Sequence, residues 1–276
     1  MENKINHNHI KNNLSILIRQ DGFSFLNYKE SLNREELLHF NLGENQSKTP
    51  ENLLSLISQE IDKDFIEANA IENLHICYHH SLFGLCPTTY FDEKSASDII
   101  KYNTKILPGD YLASDEIKEA NLTITYIPFN NINNYFIDLV GTFDYQHLLE
   151  SLIKINIELD QERERMLVYV EANCISLSVF QGKKLIMANS FNYQTQEDLA
   201  YYILFCIEQT KLDREEMILL IFGKLEKSNK AYGYLYNYIK HVDFLFSEIE
   251  YTFTEIQLKS FQLLFDKNYA HSLRKI

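Results

Sequence analysis

The chain has 276 residues, 45% apolar and 13% aromatic, with no tryptophan, eight glycines and four prolines. That length suits two packed lobes of about 130 residues each, with apolar material for two cores. The net charge of −13 repels phosphate backbones and anionic bilayers, and the shortage of glycine counts against glycine-rich nucleotide loops.

The first twelve residues read as a loose polar terminus without an apolar signal stretch. Leu14–Ile18 and Phe23–Tyr28 are β-rich runs on either side of Arg19-Gln-Asp-Gly22, a hairpin signal, and Glu36–Leu42 is a third strand. Thr49 caps a helix with Pro50 at its first position, and Leu53, Leu56, Ile57, Ile61 and Phe65 recur at helical spacing. Asn73–His79 is the next strand. Further on, Leu122–Ile127 reads as a strand closed by Pro128, and Asn130–Val140 and His147–Glu158 read as helices.

The same order then returns. Met166–Val170 is a strand, Glu171-Ala-Asn173 a break, Cys174–Phe180 a second strand, and Lys184–Ala188 a third after the Gln181-Gly182 turn. Thr195 caps a helix with Asp198 as its box partner, and its buried stripe is Leu199, Tyr202, Ile203, Cys206 and Ile207. Met217–Phe222 is a continuous apolar strand of the central, parallel type, ended by Gly223. Ser228–Lys240 and Thr252–Phe265 are further helices. The polar run Gln161–Arg165 marks the boundary between a first lobe over 12–160 and a second over 161–276.

A repeated three-strand meander followed by helix and strand resembles the actin-like ATPase superfamily, over residues 14–79 and 166–240. The whole chain, including LSILIRQDGFSF at 14–25, is similar to a family of uncharacterised bacterial proteins, a domain of unknown function with that fold. The resemblance implies an α/β protein with duplicated ribonuclease-H-like lobes and a nucleotide cleft between them. Active members place an acid and glycines in the first hairpin turn of each lobe, where backbone N–H groups cradle phosphate and the acids position a divalent ion. The matching positions here are Asp21 and Gly22, then Glu171 and Asn173, then Gly223 at the adenosine-side strand end. The motifs are degenerate. Phe23 follows Gly22 and would crowd a phosphate, the second turn has no glycine, and Lys224 takes the place of a second glycine.

Other chemistry has weaker support. His75, Cys77 and His79 alternate along one strand with His80 and Cys86 close behind, a conceivable zinc set without a second tight pair. The plainer reading is a half-buried strand with hydrogen-bonded histidines. Cys77 has only loosely placed histidine neighbours for a thiol nucleophile, and Cys174 and Cys206 sit in apolar patterns that read as core. With no C-x-x-C pair, the four cysteines read as reduced thiols. Asp21, Glu171 and Asp138 as a nuclease-like carboxylate set conflicts with the net negative charge; surface carboxylates are the default. The tyrosines at 232, 234, 236 and 238, with Tyr201 and Tyr202, suit either core packing or an interface. The expectation is a cytoplasmic, non-enzymatic binding or scaffold protein with no cofactor or metal. It would act through a protein partner or self-association, not through nucleic acid or membrane. The alternative is a nucleotide-binding switch or weak ATPase using the cleft.

Overall fold

The computed structural model describes residues 12–29, 36–43, 45–102, 104–159, 162–246 and 251–265. The first part of the chain forms β1 (Asn12–Arg19), β2 (Gly22–Lys29), β3 (Glu36–Asn41), α1 (Pro50–Glu60), α2 (Lys63–Ala68) and β4 (Asn73–His79). Then come β5 (Phe83–Pro87), α3 (Ala96–Lys101), β6 (Ala113–Ile117), β7 (Leu122–Tyr126), α4 (Asn130–Val140), β8 (Asp144–His147) and α5 (Leu148–Glu158). The remainder is β9 (Arg165–Val170), β10 (Cys174–Gln181), β11 (Lys184–Asn192), α6 (Gln196–Thr210), β12 (Ile218–Gly223), α7 (Lys230–Tyr238), β13 (His241–Phe244) and α8 (Phe253–Phe265).

Two five-stranded sheets share one strand order. The first runs β3-β2-β1-β4-β8 and the second β11-β10-β9-β12-β13, so each is ordered third, second, first, fourth, fifth. In the second sheet β12 pairs parallel with both β9 and β13, while β10 pairs antiparallel with β9 and β11. Matched order in both sheets is the signature of a duplicated ribonuclease-H-like lobe. A third sheet, β5-β7-β6, is inserted between β4 and α4 and has no counterpart among the described residues of the second repeat.

The local chemistry explains the elements. All eight residues of β1 are buried, so the strand is covered on both faces and its apolar run is continuous. On one face Phe23 stacks on Phe40 at 5.0 Å between ring centroids, and Phe25 meets Phe65 of α2 edge-on at 5.5 Å. Thr49 caps α1 by accepting from the Asn52 N–H. The helical stripe expected to run through Phe65 is broken at Ile61, because Asp62 accepts from the Phe65 N–H and starts α2. Thr195 and Asp198 form the full capping box of α6. Below α6, Leu199, Ile203 and Ile207 pack with Val168, Leu177 and Leu219 in the core of the second sheet.

Packing divides the chain into two compact units: Met1–Tyr78 with Phe129–Tyr145, and His79–Pro128 with Gln146–Ile276. This differs from the chain-order division at 160/161. The inserted sheet and α5 pack with the second unit. Asn156 on α5 donates to the Ser178 carbonyl at 3.0 Å, and Arg165 donates to Asn156 Oδ1 at 2.7 Å. Arg165, which closes the polar run that marks the expected lobe boundary, is a buried strand residue. Among the described residues no helix is long and apolar enough to cross a membrane.

Candidate functional site

The first hairpin turn is closed from within. The loop is Gln20-Asp21, and Gly22 already belongs to β2, opposite Asn41 of β3. A Cβ on Gly22 would stand 2.1 Å from the Phe40 carbonyl oxygen, so the glycine is required by strand approach alone. Arg19, almost fully buried, spreads its guanidinium over the turn. It donates to Asp21 Oδ1 at 3.3 Å, Ser24 Oγ at 2.8 Å and Asn41 Oδ1 at 2.9 Å. His39 Nδ1 lies 2.7 Å from Ser24 Oγ and extends the network. Asp21 thus carries an internal cation. Phe23, expected to crowd a phosphate, has its ring buried against Phe40, because side chains alternate faces along β2.

The second turn follows the same principle with different residues. Glu171 leaves β9 and is 2% exposed. Lys224 Nζ sits 2.8 Å from one of its carboxylate oxygens, and the Tyr169 hydroxyl donates to the other at 2.8 Å. The Ala172 N–H adds a longer bond at 3.3 Å. Asn173 offers its carbonyl to the Tyr193 N–H at 2.9 Å, and the Tyr193 hydroxyl donates to the Glu171 carbonyl. Burial, then the charges of Cys174 and Glu171, holds the Tyr193 hydroxyl protonated by raising its pKa.

Gly223 closes β12 with φ of +99°, a left-handed conformation that side chains disfavour. Its N–H donates to Ser260 Oγ of α8 at 3.1 Å, and the following Lys224 N–H donates to the Val170 carbonyl at 2.7 Å. So the N–H that could face a phosphate bonds to a serine.

The turns therefore share a physical pattern. Each acid that could position a divalent ion lies against a basic side chain of its own unit. Mg²⁺ needs open oxygen ligands in near-octahedral geometry, and a 97% buried carboxylate already bonded to Lys224 and Tyr169 lacks them. The arrangement can cross-link strand ends and fix turns. Phosphate or metal would first have to displace these bonds.

The remaining sequence candidates are dispersed. His75 is half-exposed beside Asp144, with Nδ1 3.8 Å from its carboxylate, while His79 is buried with Nε2 2.9 Å from Ser176 Oγ. Among the described residues no three His, Cys, Asp or Glu side chains are grouped to hold a metal ion. Asp138 is exposed on α4 and is not in the same compact unit as Glu171. Cys174 Sγ lies 3.7 Å from His79 Nδ1, across 95 positions of sequence. His80 is buried and held neutral, its pKa lowered to about 3 by burial and then by His79.

One polar cluster had no sequence signal, because β6 carries no strong strand pattern. Asp115 on β6 lies near Glu150 of α5, which is ion-paired with Lys154 one helical turn on. Burial first, then the Glu150 charge, raises the Asp115 pKa to about 7; Tyr126 and Lys154 pull the other way. The folded state keeps a proton that the unfolded chain, with the ordinary value 3.8, has released. Asp115 therefore costs stability progressively as pH rises from about 4 through 7. Asp115→Asn is expected to raise stability at pH 8 by on the order of 1–2 kcal/mol, allowing for solvent screening. Thermal melts of both proteins at pH 4.5 and 8 check it: the gain should be confined to the higher pH.

The fold has solved counterparts. A Bacteroides thetaiotaomicron protein with actin-like ATPase fold and unknown function superposes with a TM-score of 0.72 at 20% identity, covering 90% of this chain and 95% of that one. A chain of the PilM–PilN type IV pilus biogenesis complex superposes with a TM-score of 0.56 at 9% identity, covering 94% of this chain and 98% of its own. Identities this low establish the actin-like ATPase fold and nothing about activity. No curated protein matches the sequence. The sequence profile of the family described as "Protein of unknown function (DUF3822)" matches residues 2–242, so the chain is a member of that family.

Proposed function

We propose that this protein is a non-catalytic binding or scaffold protein of the cytoplasm, built on an actin-like ATPase fold whose phosphate-loop positions have become internal struts. The Lys224–Glu171 ion pair carries this reading: a cation of the chain itself stands at 2.8 Å from the acid that would otherwise face a metal. Arg19 on Asp21 and Ser260 on the Gly223 N–H repeat the pattern. Exposed aromatics on α6 and α7 add surface suited to a protein partner or a second copy: Tyr201 and Tyr236 are about 60% exposed. One similar structure is that of a chain described within a protein–protein complex.

Titration calorimetry with Mg²⁺–ATP is the test. The expected result is no saturable heat up to millimolar nucleotide. Micromolar, Mg²⁺-dependent binding that Asp21→Ala abolishes would sink the reading.

The fold itself favours a second reading, a nucleotide-binding switch or weak ATPase. Taken alone, kinship with an ATPase fold weighs towards it, and the occupied turns weigh against it. In that case nucleotide would have to break the Lys224–Glu171 pair, and Lys224→Ala would alter nucleotide affinity along with stability.

A further inference from the structure

The second sheet ends on a long edge. β11 has nine residues and lies outermost in the order β11-β10-β9-β12-β13. We propose that this edge pairs antiparallel with β11 of a second copy, giving a closed two-fold dimer whose sheet runs through both chains. This rests on the scaffold reading above and names the partner.

Sheet edges are ordinarily blunted by charge, proline or shortness. From Leu185 to Asn192, β11 has no charged residue, proline or glycine. The opposite edge, β13, has only four residues and carries the exposed Asp243. The irregularity opposite Val179 and Phe180 lies near the Lys184 end, and Met187–Asn192 keep unbroken register with β10. The Tyr193 N–H donates to the Asn173 carbonyl, so by alternation Phe191, Asn189 and Met187 turn their backbone groups to β10. Ala188, Ser190 and Asn192 turn theirs outward. The Ser190 N–H is covered by Asn189 Oδ1 at 2.8 Å, a bond between neighbours that a pairing strand replaces. With Ser190 on the two-fold axis, Ala188 faces Asn192 of the second copy and each outward group finds a partner.

Two further observations select a second copy. The first is an aromatic band continuous with the edge. Phe191 of β11 stacks on Tyr202 of α6 at 4.8 Å between centroids, Tyr202 meets Tyr201 at 5.5 Å, and Tyr201 stacks on Phe205 at 5.9 Å. Tyr201 is 60% exposed and Phe205 38%. A two-fold axis at the edge sets α6 beside its own image, so that band covers band. The second is charge. With −13 on each chain, copies repel in general, and the uncharged edge is where they approach most easily. The two ends of β11 carry opposite signs. Exposed Lys183 and Lys184 stand at its start, and Glu197 and Asp198 open α6 just past its far end. Antiparallel pairing puts the lysines of each copy beside the acids of the other, whereas parallel pairing sets like against like.

Sedimentation equilibrium of the full chain, at about 0.15 M salt to screen the general repulsion, is the experiment. A concentration-dependent dimer is expected. Asn192→Pro removes an outward N–H, leaves the ladder to β10 intact and should weaken the dimer about tenfold or more. Lys183→Glu and Glu197→Lys should each weaken it about fivefold, and the two together should restore it. Restoration is a readout that damage to the fold does not mimic. A chain still monomeric at on the order of 0.5 mM overturns the proposal. So do assemblies larger than a dimer, a dimer indifferent to Asn192→Pro, or a charge exchange that fails to restore. If the chain is monomeric and Mg²⁺–ATP gives no heat, only this interface falls; if Mg²⁺–ATP binds at micromolar concentration, the underlying reading falls.

Discussion

Gly223→Ala will lower the unfolding free energy by about 3 kcal/mol or more, or prevent folding of the second unit. Two independent effects combine. The residue has φ of +99°, where an L side chain is strained. A Cβ there would also lie 2.3 Å from the Val170 carbonyl oxygen and 3.0 Å from its nitrogen. Those are backbone atoms of the adjacent central strand, so neither can yield without disturbing the parallel β9–β12 ladder. Urea unfolding of Gly223→Ala beside the native protein checks it. A loss under about 1 kcal/mol would mean that the strand end is more plastic than its geometry implies. Ser260→Ala isolates the hydrogen bond from the backbone strain and should cost only about 1–2 kcal/mol.

The second large effect lies next door. Lys224→Ala leaves the Glu171 carboxylate, 3% exposed, without its cation. Breaking a buried pair from one side costs about 3–5 kcal/mol in general. The Tyr169 and Ala172 bonds persist, so about 2–4 kcal/mol is expected here. Lys224→Met with Glu171→Gln together should recover most of that loss, since a neutral amide needs no counter-ion, accepts from the Ala172 N–H with its oxygen and can donate to the Tyr169 hydroxyl. A double-mutant cycle by chemical denaturation measures the coupling. Additive losses would show that the two side chains do not stabilise each other.

Both predictions bear on the proposed function, because they treat the phosphate-turn candidates as structural parts. In an active ATPase site the strand-end acid and the glycine N–H would be kept open for ligand, at a cost in stability. Here Lys224 and Ser260 fill those roles with groups of the same chain. Substituting them should therefore cost stability, and calorimetry with Mg²⁺–ATP tells whether any ligand affinity is gained in exchange.

Local pattern made much of the fold legible. Apolar runs of five to eight residues, punctuated by Asp-Gly, Gln-Gly and capping threonines, located β1, β2, α1, β9, β10, α6 and β12 close to their observed limits. Helix α4 spans Asn130–Val140, the limits read from the sequence. Repetition of that order was enough to expect a duplicated lobe, because the same pattern of buried faces demands the same sheet twice. Short strands with mixed burial, β5, β6, β8 and β13, went unseen because four or five residues carry too little periodicity.

The sequence by itself determined the duplicated sheet-and-helix order, the caps and the positions of the phosphate-turn candidates Asp21, Gly22, Glu171, Asn173 and Gly223. These depend on residues near one another in the chain, whose propensities and spacing act locally. Only the tertiary structure decided what those positions bond to. Lys224 reaches Glu171 across 53 positions, by the numbering of their ion pair, and Ser260 reaches Gly223 across 37. Arg19 needs Asn41 of the third strand to complete its fork. The assignment of α5 and the inserted sheet to the second unit, and the approach of Asp115 to Glu150, likewise arise from packing between distant segments. Hydrogen bonds and ion pairs of that range leave no periodic trace in the chain, since their partners are chosen by where the sheets place them.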